Sequence, residues 1–224
     1  TRQVIIFNKD NVSQTDVSYS CQIAPITEET EWSAQLMADV IGDALWLALR
    51  EQTGASYGAG SYVQYWSGGP AVLLQGVQVQ NDQTAYAVKV FLEQAEKAKA
   101  MKMDDRILAT RKFSNAQSYV VNQVSTNAMM SRLVNVAARG WGLDYFDKIG
   151  ARIAKAQQSD WPAMLEPCVG HEVVTLVGPV DVVKPQFDKL GMTVEVFDVD
   201  AYRKDYRAKM GLKPEKEDKK KGEK

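Results

Sequence analysis

The chain of 224 residues is 45% hydrophobic and 9% aromatic, enough to bury one sizeable core, and its 27 Lys and Arg against 28 Asp and Glu leave a net charge of -1. That balance gives no electrostatic case for nucleic acid or an anionic membrane surface as a partner. No run of about 18 uncharged apolar residues argues for membrane insertion, and the start at Thr1-Arg2-Gln3-Val4, without an initiator Met or a basic-then-apolar signal, reads as that of a domain excised from a longer protein.

In chain order, Val4 to Phe7 is a short predicted strand. Val17, Tyr19, Cys21 and Ile23 then alternate with Ser18, Ser20 and Gln22, the period-two pattern of a strand with one dry face. After Pro25 the period changes. Trp32, Leu36, Met37, Val40, Ile41, Ala44, Leu45 and Ala48 repeat at helical spacing, which predicts a helix from about 28 to 50, with Thr27 as N-cap and Glu28, Glu29 and Glu31 at the positive end of its dipole. Gly54 ends it. Ser56 to Trp66, the turn Ser67-Gly68-Gly69, and Val72 to Gln80 read as an antiparallel hairpin, followed by a helix from about Asp82 to Ala100.

From Asp104 to Arg139 there is neither Gly nor Pro, and a helical beat runs through Ile107, Phe113, Val120, Val124, Met129, Leu133 and Val136 until Gly140 and Gly142 stop it. A further helix is predicted from about Leu143 to Gln157, then a strand at Glu172 to Val177, a helix at Val180 to Leu190 and a strand at Thr193 to Phe197. This order predicts an α+β fold of two layers, an antiparallel or mixed sheet with helices packed on one face. Residues 1–200 form a single domain, 201–212 a C-terminal extension, and 213–224, with six Lys, four acidic residues and no apolar side chain, a disordered charged tail.

The absences are informative. His171 is the sole histidine, so no two-His zinc site can be built, and its place at the start of an apolar strand suits an ordinary edge histidine better than a catalytic relay. There is no phosphate-binding loop: Gly54, Gly58 and Gly60 open a strand where a nucleotide site needs a helix N-terminus. No metal-binding or cofactor-binding residue is assigned. Cys21 and Cys168 lack a CxxC spacing and are expected to be two small buried residues, unbridged, which leaves the compartment open. Asp104-Asp105 reads as an N-cap, Glu93 and Glu96 with their Lys neighbours as a solvated helix face, and Met129-Met130 and the Trp residues as core or interface.

One spacing remains. Arg50 lies at the end of the first helix and Tyr57 seven residues on, at the start of the next strand, so that a cation and a phenol can converge above one sheet edge. Such a pair can hold and polarise a peptide carbonyl but cannot hydrolyse it. The same residues could also be a helix-end Arg bonded to the last carbonyls and an ordinary strand Tyr.

Gln3 to Asp10 with Gln14 and the alternating strand, Leu49-Arg50-Glu51 followed by Gly54 and Tyr57, and the long helix opening Met103-Asp104-Asp105 together resemble one half of the pitrilysin/insulinase family of zinc metallopeptidases, over about residues 3 to 200. The resemblance implies two related α+β halves that close around a peptide. One carries the inverted zinc motif HxxEH; the other supplies an Arg and a Tyr at this spacing, matched here by Arg50 and Tyr57. This chain lacks HxxEH and resembles the C-terminal, non-zinc half. The implied function is the substrate-binding domain of a zinc metalloendopeptidase that degrades peptides, inactive in isolation. Zinc is expected in an N-terminal half, in the same chain or a partner subunit, and a peptide is the expected substrate. The alternative is a non-catalytic structural or assembly subunit, or a peptide-binding module, of the same fold.

Overall fold

The computed structural model describes residues 2–66, 70–122 and 124–212. The expected tail, 213–224, and the hairpin turn, 67–69, lie outside the described residues. A mixed sheet of six strands is formed by β1 (Gln3–Asn8), β2 (Gln14–Ile23), β3 (Ser56–Tyr65), β4 (Ala71–Gln80), β5 (Val173–Gly178) and β6 (Glu195–Phe197), in the spatial order β3-β4-β2-β5-β1-β6. β2, β3, β4 and β5 meet in antiparallel pairs, while β1 runs parallel to β5 and β6. The fold is α+β, as the order of elements implied.

Period-two patterning explains the dry face. Val17, Tyr19, Cys21 and Ile23 of β2 are buried, as are Leu73, Val77 and Val79 of β4 and Val174 and Leu176 of β5. They share one core with Leu36, Met37, Ile41 and Leu45 of α1 (Glu31–Trp46) and with Val88, Phe91 and Ala95 of α2 (Thr84–Ala100). Tyr19 and Phe91 meet edge to face, ring centroids 6.2 Å apart. α1 lies so close to the edge strand β3 that a Cβ on Gly42 would come within 3.2 Å of the Ser61 backbone nitrogen.

The helical run expected from Asp104 to Arg139 is divided into α3 (Asp105–Asn122) and α4 (Thr126–Ala138). Ser125 makes the second start, its hydroxyl accepting the Ala128 N–H at 3.2 Å. Asp104 opens α3 as expected, accepting the Arg106 N–H at 2.9 Å. Met129 and Met130 are exposed, so they are not core. The helix expected from Leu143 to Gln157 is a 3-10 segment over Leu143–Lys148 and then α5 (Ile149–Lys155). α6 (Trp161–Leu165) was not foreseen; α7 (Val180–Lys189) was, and α8 (Val199–Lys209) gives the C-terminal extension a helical form.

The cysteines correct the sequence reading. Cys21 on β2 and Cys168, in the turn after α6, are joined by a disulfide across 147 residues of sequence, with Cα atoms 5.0 Å apart. Spacing carried no sign of it, because the fold alone brings a core-facing strand position against that turn. The Tyr19 hydroxyl lies 3.3 Å from the Cys168 sulfur, and burial pushes its pKa up. Nearby, Arg2 reaches buried Glu172 through Nε at 2.9 Å and Nη2 at 3.1 Å, tying the start of β1 to the approach to β5.

Candidate functional site

Arg50 and Tyr57 are brought together by two local irregularities. The last turns of the first helix widen: Leu47–Gln52 forms a π-helical segment that carries Arg50. Such segments rotate the side chains that follow relative to a regular helix and recur at functional sites. Gly54, at φ 63°, closes it with its N–H on the Arg50 carbonyl at 3.0 Å. Thr53 supplies the side-chain cap, its hydroxyl donating to the carbonyls of Ala48 at 3.1 Å and Leu49 at 3.2 Å. β3 then begins with a shift in register between Ser56 and Ala59, so Tyr57 sits in a bulge. The Ser56 hydroxyl holds that bulge, donating to the Gly58 carbonyl at 2.9 Å and accepting the Gly58 N–H at 3.1 Å.

Within this corner the guanidinium of Arg50 donates through Nη1 to the backbone carbonyl of Tyr57. It also lies over the Tyr57 ring, 4.5 Å from its centroid, with Nε 3.6 Å from the Glu51 carboxylate. The helix-capping role that the sequence allowed for Arg50 therefore falls to Thr53. Tyr57 is 87% exposed, and its hydroxyl makes no hydrogen bond among the described residues. A cavity of about 390 Å³ opens beside the pair, bordered by Gln14 and Gln80. Chemically, the corner presents one phenolic O–H donor on a backbone that Arg50 clamps.

A second polar region lies further along β3. Trp32, Gln35, Asp39 and Asp43 form a stripe on α1, and Arg111, Ser114, Asn115 and Ser118 form one on α3. The stripes border a cleft of about 620 Å³ that reaches Gly60 and Ser61 of β3 and Arg132 of α4. Burial raises the Asp39 pKa against the opposing hydrogen bond that Gln35 donates at 3.0 Å, and Arg111 pairs with Asp43. Behind the cleft, the buried Glu31 carboxylate accepts from Tyr65, Tyr145 and Arg132, the last at 3.1 Å. Burial, and then the charge of Glu31, push both phenols well above the usual tyrosine range. Sequence reading missed this cleft. The i, i+4 and i+8 spacing of Gln35, Asp39 and Asp43, polar positions along a helix with a long apolar face, was the signal available.

The described residues contain no group of three or more His, Cys, Asp and Glu placed to hold a metal ion. None of the described helices is long and apolar enough to cross a membrane. Residues 1–114 match the family model of the peptidase M16 inactive domain. The chain belongs to that family. It is a C-terminal, non-zinc half of the pitrilysin type, a non-catalytic part of M16 proteases.

Solved structures agree on the fold of this M16 inactive domain. The periplasmic protease PqqL from Escherichia coli is similar with a TM-score of 0.68 at 13% identity, over 80% of this chain and 20% of that one. A peptidase M16 inactive domain from Pseudomonas fluorescens gives 0.63 at 16%, over 80% and 43%. Pitrilysin gives 0.57 at 17%, over 79% and 19%. The chain thus spans less than half the length of each of these structures. No curated protein matches it.

Proposed function

We propose that this domain is the substrate-binding half of a zinc metalloendopeptidase that degrades peptides, with Tyr57 donating to the carbonyl oxygen of the scissile bond and Arg50 fixing Tyr57. The observation that carries the reading is the clamp at the corner. The Tyr57 phenol is exposed and unbonded among the described residues, while its backbone and ring are held by Arg50. A hydrogen-bond donor preorganised against the developing oxyanion stabilises the transition state more than the ground state. Arg50 acts through Tyr57 and is a positioning residue.

An N-terminal half, in the same chain or a partner subunit, supplies the zinc and with it the activated water. This domain supplies the donor and a surface for the peptide. In this reading the domain by itself is inactive, since the nucleophile comes from the other half.

The test uses the assembled peptidase. Tyr57→Phe is expected to lower kcat by about 10- to 1,000-fold with a modest change in KM and unchanged zinc content. Arg50→Ala is expected to lower kcat at least as much, Arg50→Lys to restore little because the planar fork is lost, and the double variant to be far from additive. Wild-type rates for both single variants in a folded, zinc-loaded enzyme would overturn the reading and favour the alternative, an assembly subunit that keeps the fold without the chemistry.

A further inference from the structure

The helical beat through Phe113, Val120, Val124 and Met129 reads in the sequence like a buried face, yet in the fold it points away from the domain. On α3, Phe113, Val120, Val121 and Val124 recur at i, i+7, i+8 and i+11, a single stripe, and they are 63–86% exposed. No residue of α3 is buried. The side that meets the domain is largely polar: Arg111 pairs with Asp43 of α1, Lys112 donates to the Ala154 carbonyl at 2.8 Å, and Tyr119 packs edge to face on Trp32 with ring centroids 5.8 Å apart. α4 repeats the arrangement. Its Val136 is buried, and Arg132 turns inward to Glu31 and lies 5.6 Å from the centroid of the Tyr119 ring, while Met129, Met130 and Val134 are more than half exposed.

Consecutive helices with apolar sides outward mark an interaction surface, and the lack of charge says of which kind. From Phe113 to Ala138 the sequence holds one charged residue, Arg132, and it is engaged by Glu31. Charge depletion together with exposed Met and aromatic side chains is the composition of the centre of a permanent protein interface. A lipid surface does not suit this stretch. Helices that lie on a membrane carry Lys and Arg along their polar side for the headgroups, and here the one cation faces into the domain.

The family supplies the permanent partner. This domain is a non-catalytic half of M16 proteases, and it covers only 19–43% of each solved structure compared with it above. Where two halves share a polypeptide, the second meets this face at a high effective concentration that another copy of the domain in solution does not match.

We propose that the outward sides of α3 and α4 are the surface on which the zinc-bearing half of the peptidase packs, in an apolar, uncharged contact that buries Met129 and Met130. The identity of the partner rests on the proposed function; the interface character of the face does not.

Oxidation by hydrogen peroxide, read at each methionine by mass spectrometry on the chain alone and on the assembled peptidase, tests the contact. In the chain alone Met129 and Met130 are expected to oxidise as fast as the exposed Met210, and in the assembled peptidase to be slowed about tenfold or more. Val121→Lys and Met130→Lys are expected to leave the Tm of the chain alone within about 2 °C, because both positions face solvent, and to lower that of the assembled peptidase by about 5 °C or more, because there each buries a charge. Equal oxidation of Met129 and Met130 in the two forms, or an equal loss of Tm in both, would overturn the contact. Slow oxidation in the chain alone, with a dimer in sedimentation equilibrium, would give the face to a second copy, and co-sedimentation of the chain with phosphatidylglycerol vesicles would give it to a membrane; either result overturns the proposal. Protection of Met129 and Met130 in a peptidase whose Tyr57→Phe variant keeps the wild-type kcat would retain this contact and remove the role of Tyr57, and the reverse pattern would do the opposite, so the two readings fail separately.

Discussion

Two arginine-tyrosine arrangements in this domain use the same groups to opposite ends. Around Glu31, Arg132 and the phenols of Tyr65 and Tyr145 turn inward, and both hydroxyls are consumed by one buried carboxylate. At the other end of the same helix, Arg50 spends its guanidinium on the Tyr57 backbone and ring and leaves the hydroxyl in solvent. The first arrangement fixes the fold; the second keeps a donor free on a fixed backbone. What separates them is burial, since a polar group inside the protein must be satisfied by the protein, and one at the surface can be reserved for a ligand.

The contrast can be broken most directly at Glu31. Glu31→Ala leaves Arg132 largely buried without its carboxylate, and a loss of about 3–5 kcal/mol in urea unfolding is expected. A loss below 1 kcal/mol would mean that the inward cluster is no more structural than the outward one. The disulfide comes next. Its reduction, or Cys21→Ala with Cys168→Ala, is expected to remove about 2–5 kcal/mol, read as a fall in Tm with reductant that the double variant no longer shows.

Glu172 gives a smaller, pH-dependent term. Burial draws its pKa up, but hydrogen bonds from Arg2 and from the Gly170 N–H outweigh burial and leave it below the ordinary 4.5. A carboxylate depressed in the folded state contributes stability that is complete above its unfolded pKa and is lost as pH falls through the folded value. Glu172→Gln is expected to cost about 1–3 kcal/mol at neutral pH and progressively less in acid, as pH falls below the ordinary 4.5 and through the lower folded value, where the wild type loses the same interaction. A cost independent of pH would contradict the direction of the shift. The smallest effect is expected at the outward pair, where Tyr57→Phe changes stability by no more than about 0.5 kcal/mol. A cost of 2 kcal/mol there would erase the comparison, because Tyr57 would then be serving the fold.

Much of the architecture was legible because it repeats along the chain. The alternation through Val17, Tyr19, Cys21 and Ile23 marked a strand with one dry face, and the helical spacing from Trp32 to Ala48 marked the helix that covers β3. Arg50 and Tyr57 stood out by spacing, but their geometry did not. A π-helical segment and a β-bulge follow from how a helix end meets a strand in three dimensions, and neither has a period to read. The break between α3 and α4 was missed for a related reason. Ser125 can cap a helix or sit within one, and only the fold decided which.

Local order, the face each element buries and the presence of an Arg and a Tyr beside one strand were determined by the sequence itself, because side-chain periodicity and turn chemistry act between near neighbours. The tertiary structure alone decided that Cys21 meets Cys168, that the Arg132 guanidinium belongs to Glu31 while that of Arg50 belongs to Tyr57, and that polar stripes on α1 and α3 border one cleft. Each of these joins residues far apart in the chain or picks one partner among several near ones, and that choice is made by packing over the whole core, where burial decides which polar groups must be matched inside the protein and which are left for solvent or a ligand.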